Sequence, residues 1–233
     1  MRGVTHALSG VVTGVAAGSL VLNDRPGPLL LFAGLTAAYA LSPDLDSCGS
    51  TEARSLGFVT RILSHGIRAV SGGHRHGTHS LLGVAAFTGA AWLACLFRDT
   101  WPGRITLGVF LAAGIAAAAD ALRPGPATFE NVLGIGAAAV MVWTGYGLAL
   151  VPLAAALGCA THIAGDMLTV SGCPLAWPVS LRDFHLLPGP LRFTTGKFAE
   201  HWIVSPLLLG ALALLLWRDA STLTMHASTA AGR

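Results

Sequence analysis

LALVPLAAALGCATHIAGDML, residues 148–168, is the stretch that decides how this chain folds. Up to Ala160 it carries no charged side chain, and it is long enough for the roughly 20 residues that cross a bilayer core. A segment in hydrocarbon has no water to satisfy its backbone, so it must be helical. Near its end stand His162 and Asp166. Residues four apart share a helix face, and ionisable groups in such a segment point to function. The pair on its own supports two readings equally: a metal site, or a buried His–Asp hydrogen bond that locks helices together.

The rest of the chain has the same character. Of 233 residues, 53% are hydrophobic and 11% charged, against roughly 25% charged in soluble domains; mean hydropathy is +0.66. The expected fold is all-α, a polytopic helical membrane protein with roughly seven spanning segments near 4–22, 28–43, 78–97, 104–122, 131–147, 148–168 and 201–217. The first segment resembles a secretory signal in composition, but it continues the topology and is read as a retained span. No polar linker divides two bodies, so residues 1–233 are read as one domain. The net charge of +3 is small and dispersed, which argues against nucleic acid as a partner. Cys48, Cys95, Cys159 and Cys173 show no paired spacing, and neither a disulfide framework nor a zinc–thiolate site is expected.

Alternating the direction of crossing has a consequence. If His6 lies on side A, then Asp44 and Asp46 in LSPDLDS return to side A, as do His74 and His79 in HRHGTHS. His162 and Asp166 follow, and Glu200 and His201 begin the last span there. The loops 47–77 and 171–199 also fall on side A. Side A carries Arg2, Arg54, Arg61, Arg68, Arg75, Arg123, Arg182, Arg192 and Lys197; side B carries Arg25, Arg98, Arg104, Arg218 and Arg233. The positive-inside rule then makes side A cytoplasmic. Residues 52–71 are too polar to span. Leu56, Val59, Leu63, Ile67 and Val70 form one helical stripe and Arg54, Arg61 and Arg68 another, the pattern of an amphipathic helix in the headgroup layer; a solvated face with no specific role fits the same pattern.

The side-A residues are of metal-binding type. Histidine clusters such as His74, His76 and His79 suit transition metals. Thr78 is placed to cap the following helix. Asp44 and Asp46, two apart at a helix C-terminus, repel unless a cation or proton sits between them. Their hard oxygens favour zinc, manganese or magnesium over copper.

In order and spacing, THALSG at 5–10, SPDLD at 42–46, HRxxTHS at 74–80, HxxxDxxTxxGxxxxxP at 162–178 and TGxxxE at 195–200 resemble the LexA-binding, inner-membrane-associated metal-dependent hydrolases of bacteria. The resemblance spans nearly the whole chain. It implies a multi-pass bacterial inner-membrane protein and ligand roles for His6, Asp44, Asp46, His74, His79, His162 and Asp166, with His74 and His79 preferred over His76. The expected activity is hydrolysis of a phosphoester in a lipid or amphipathic substrate. Arg75, Arg182, Arg192 or Lys197 would hold the phosphate, and Glu200 or His201 would act as acid or base. The alternatives are a metal or proton transporter and a non-catalytic protein that docks a cytoplasmic regulator on the 47–77 loop. No ladder of ionisable residues continues toward side B, which weighs against transport.

Overall fold

The computed structural model describes residues 1–22 and 25–231. Apolar runs become helices in chain order: α1 (Gly3–Val21), α2 (Pro26–Tyr39), α3 (Thr51–Ser55), α4 (Phe58–Val70), α5 (Leu81–Leu96), α6 (Trp101–Leu122), α7 (Ala127–Thr144), α8 (Val151–Asp166) and α9 (Ser205–Ala231). Among the described residues there is no strand, only two isolated bridges in the long loop before α9. Six helical stretches are long and apolar enough to cross a membrane, and α5 is a shorter apolar helix of 16 residues. Of the roughly seven spans expected, six reach spanning length, and the third, α5, falls short of it. The chain is an all-α membrane protein. Arg233, counted above at side B, lies outside the described residues.

The bundle centres on α1, α2 and α8, which meet through small residues. A Cβ on Gly10 would come 2.7 Å from Ala37 Cα, and one on Gly14 2.6 Å from Ala33 Cα. Gly158 on α8 lies as close to α2, where a Cβ would stand 2.6 Å from the Thr36 carbonyl oxygen. Small residues let backbones approach where no hydrophobic effect drives helices together. Phe32, Leu35, Leu107 and Leu111 fill the core beside them. The tight α7–α8 connection exists because Gly145 and Gly147 both take positive φ, 74° and 75°, where L side chains are strained.

Several segment ends differ from the hydropathy reading. Helix α2 stops at Tyr39, and Ser42–Asp46 follow as a tight 3₁₀ turn around Pro43. Thr78 does not cap α5. Ser80 does, its hydroxyl accepting the Gly83 N–H at 3.1 Å, while Thr78 turns toward Asp46. The amphipathic segment is broken into α3 and α4 at Gly57, whose φ is 62°. The loop between α8 and α9 folds back over the side-A end. Phe184 and Cys173 exchange backbone hydrogen bonds, and the Leu81 N–H donates to the Leu175 carbonyl.

Candidate metal centre

Four separate pieces of chain carry the expected ligands to one place. Helix α8 supplies His162 and Asp166, α1 supplies His6, the turn at 42–46 supplies Asp44 and Asp46, and residues 74–79 supply His74 and His79. His6, His79, His162 and Asp166 have no exposed side-chain surface; Asp44 retains 22%.

The hydrogen bonds fix which ring nitrogens face the centre. His162 Nδ1 lies 2.7 Å from the Ala40 carbonyl oxygen. A carbonyl can only accept, so Nδ1 carries the proton and Nε2 presents a lone pair. Thr78 Oγ1 donates to Asp46 Oδ2 at 2.5 Å and lies 3.0 Å from His79 Nδ1. The hydroxyl proton is committed to the carboxylate, so His79 Nδ1–H donates to the hydroxyl and its Nε2 is also a lone pair.

These two Nε2 atoms face one another at 3.2 Å. Asp44 Oδ1 stands 3.5 Å from His79 Nε2 and 3.8 Å from His162 Nε2. Asp166 Oδ2 stands 3.7 and 3.8 Å from the same two atoms. With both rings neutral, four acceptors converge here. A tetrahedral site with bonds of about 2.0–2.2 Å needs ligand atoms about 3.3–3.6 Å apart, close to these separations. His6 stacks on His162, ring centroids 3.7 Å apart, with Nε2 3.2 Å from Asp166 Oδ1. Neither of its ring nitrogens has a hydrogen-bond partner, and the Nε2 contact is close in charge without hydrogen-bond alignment. The donor set fits a divalent cation. It divides into three groups: His6–Asp44–His162 shares His162 with His79–His162–Asp166 and Asp44 with Asp44–Asp46–His74.

Asp46 stands one step back. Its Oδ1 accepts from His74 Nδ1 at 2.7 Å, and its Oδ2 takes Thr78 and the Arg75 backbone N–H at 3.1 Å. A carboxylate on the far nitrogen of a histidine orients that ring and raises its basicity. The Asp46 hydrogen bond accordingly holds the His74 pKa above its ordinary value. Arg75 has φ 62°, a conformation found in non-glycine residues mainly where surroundings enforce it. It places the guanidinium 3.1 Å from Asp166 Oδ2. The amine of Met1 also contacts Asp166 Oδ1.

The other expected site residues lie elsewhere. Glu200 is buried, but both its oxygens accept backbone N–H groups at 2.6 Å, from Arg2 and Gly196. His201 is exposed, paired with Arg2 and with the Lys197 carbonyl. Arg182 and Lys197 are exposed, and Arg192 donates to the Leu187 carbonyl within its own loop. Of the four cations expected to bind phosphate, Arg75 is the one at the cluster.

Glu52 escaped the sequence reading, because nothing in TEARS marks it as different from a surface acid. Its side chain is buried; Oε1 accepts from Ser42 at 3.2 Å and Oε2 has no partner. Burial pushes its carboxyl up to about 8. It lines a cavity of about 220 Å³ together with Gly3, Leu41, Gly49, Ser50, Thr51 and Asp44. Asp44 thus borders both the cluster and the cavity. Toward side B the ionisable cluster gives way to hydroxyl contacts: Thr13 with Thr161 at 3.1 Å, then Ser19 donating to Asp219 at 2.6 Å.

The fold and this buried His–Asp centre define a helical integral membrane protein with an intramembrane polar site at one end of its bundle. The family model for the YdjM inner membrane protein matches residues 1–231, and the chain belongs to that family of inner-membrane proteins. No curated protein and no solved structure matches the chain.

Proposed function

We propose that this protein is a membrane-bound metal-dependent hydrolase that cleaves a phosphoester of a lipid-like substrate at the cytoplasmic face. One observation carries the reading: His79 Nε2 and His162 Nε2 stand 3.2 Å apart, flanked by Asp44 and Asp166, while each ring's Nδ1 is engaged by another partner. A hydrogen-bonded structural network would place a donor between such atoms. His6, Asp44, His79, His162 and Asp166 would hold the ion, zinc or manganese before magnesium given the imidazole share, while Asp46 and His74 complete the corner. A divalent ion held there supplies Lewis acidity and a means of deprotonating water near neutral pH.

The chain's own groups supply the rest. Arg75 is positioned to take the negative charge of a phosphoryl group. The cavity beside Asp44 gives a polar approach from the bundle end. Glu52, on that cavity and protonated at neutral pH, is better placed than Glu200 or His201 to give up a proton. The Lys and Arg distribution supports a cytoplasmic side A, and the LexA-binding resemblance agrees with a site open to that compartment.

The test is turnover of bis(p-nitrophenyl) phosphate and of phospholipid by detergent-purified protein with zinc or manganese. Hydrolysis that falls at least a hundredfold in Asp166→Ala is the expected result. Full turnover in Asp166→Ala would refute the assignment. Metal flux in proteoliposomes without hydrolysis would establish a transporter instead.

A further inference from the structure

Helix α4 leaves most of its large apolar surface outside the protein. It meets the rest of the protein through small polar residues: Thr60 and Ser64 are buried, and the Ser64 hydroxyl points at Cys48 Sγ at 3.6 Å. Four of its six large apolar residues face outward, while Leu63 and Ile67 are half-buried. Phe58 is 72% exposed, Ile62 59% and Val70 84%, and Val59 is exposed beside them. At 3.6 residues per turn, Phe58, Val59, Ile62, Ala69 and Val70 occupy an arc of about 120°. Arg61 and Arg68 lie together on the flank between this arc and the buried face, both exposed. An ordinary amphipathic surface helix buries its apolar stripe against its own core.

The side-A placement says what covers it. The helix packs on the 3₁₀ turn Ser42–Asp46, where α2 ends, so it lies at the rim of the bundle where spanning helices leave hydrocarbon. An outward apolar arc at that depth is continuous with the lipid-facing surfaces of the spans, and the adjoining arginines match anionic headgroups in charge.

We propose that α4 is a docking surface for anionic phospholipid, with Phe58, Ile62 and Val70 among the upper acyl chains and Arg61 and Arg68 on the phosphates. Because the same helix abuts the turn carrying Asp44 and Asp46, headgroups bound along it are held beside the metal centre; that consequence rests on the hydrolase reading, and the docking itself does not.

The test places the photo-crosslinking residue benzoylphenylalanine at Phe58 or at Ile62 of the full chain, in nanodiscs of phosphatidylcholine with phosphatidylglycerol. Leu133 on α7, exposed on a spanning helix, serves as the lipid-facing control. Intact-mass analysis reads the adducts. Lipid adducts at 58 and 62 are expected, with phosphatidylglycerol enriched at least about threefold over its mole fraction, and the enrichment lost in Arg61→Gln/Arg68→Gln. No lipid adduct at 58 or 62 while position 133 reacts would overturn the proposal. So would adducts in native membranes that run to a protein instead of lipid. Equal yields of the two lipids would overturn the anionic preference. None of these readings depends on turnover, so failure of the hydrolase assay leaves them intact.

Discussion

Replacing Glu52 with glutamine changes how stability depends on pH, and in a stated direction. Burial raises the Glu52 carboxyl from an ordinary 4.5 to about 8 in the folded protein. Below pH 4.5 both folded and unfolded chains are protonated and the residue imposes no penalty. As pH rises, the unfolded chain releases the proton first, and stability declines until the folded protein ionises near pH 8. The full interval corresponds to a ceiling of about 5 kcal/mol at 1.36 kcal/mol per pH unit. Glutamine is neutral at every pH and keeps the acceptor for the Ser42 hydroxyl. Glu52→Gln is therefore expected to match wild type near pH 4 and to exceed it increasingly up to about pH 8, by several kcal/mol. The assay is unfolding of both proteins in the same mild detergent, followed by circular dichroism in graded SDS at half-unit pH steps. Parallel curves from pH 4 to pH 9 would refute the reasoning, since they would mean that Glu52 reaches water or a cation.

Thr78→Val removes the hydroxyl that links Asp46 to His79, freeing the His79 ring to adopt either tautomer; affinity for zinc is expected to fall about 10- to 100-fold in chelator competition, the usual cost of losing such an orienting partner. Asp46→Asn is expected to lower the His74 pKa toward its ordinary value, because the acceptor at its Nδ1 no longer carries a negative charge; histidine ring resonances titrated in detergent give the answer, and an unmoved midpoint contradicts it. Gly14→Val forces a Cβ to within 2.6 Å of the Ala33 backbone, so α1 and α2 must separate; a loss of several kcal/mol or failure to assemble is expected, read as thermal aggregation by size exclusion. At Gly34, where a Cβ meets nothing within 4 Å, alanine is expected to be tolerated in the same assay.

The spans were legible because a bilayer imposes one strong rule, an apolar run of sufficient length, and six of the expected runs form helices of that length. The layer of ionisable residues followed from parity: each crossing returns its polar end to side A. Helix ends were less legible. They depend on which hydroxyl meets which N–H, and Ser80 and Thr78 are two residues apart with equal claim to cap α5. The roles within the site were legible only by residue type. Asp44 and Asp46 look alike in SPDLD, but the first faces the cluster and the second spends both oxygens on His74, Arg75 and Thr78. Glu200 and Glu52 differ in surroundings for the same reason. One ends the TGxxxE motif yet ties down backbone N–H groups, and the other lies in an unmarked polar stretch yet is buried beside Asp44. Burial of a carboxylate depends on tertiary packing that no local pattern encodes. The close approach at Gly10 and Gly14 of α1 depends on the partner surface of α2, which no local pattern encodes.

The central claim is that the converging acceptors of His79, His162, Asp44 and Asp166 hold a divalent ion. Elemental mass spectrometry of detergent-purified protein, wild type beside His162→Ala/Asp166→Ala, tests it most directly. Stoichiometric zinc or manganese in the wild type that disappears in the double variant is the predicted result. No metal in either protein, even after reconstitution with zinc, manganese or magnesium, would contradict it and leave a structural His–Asp network in a membrane scaffold.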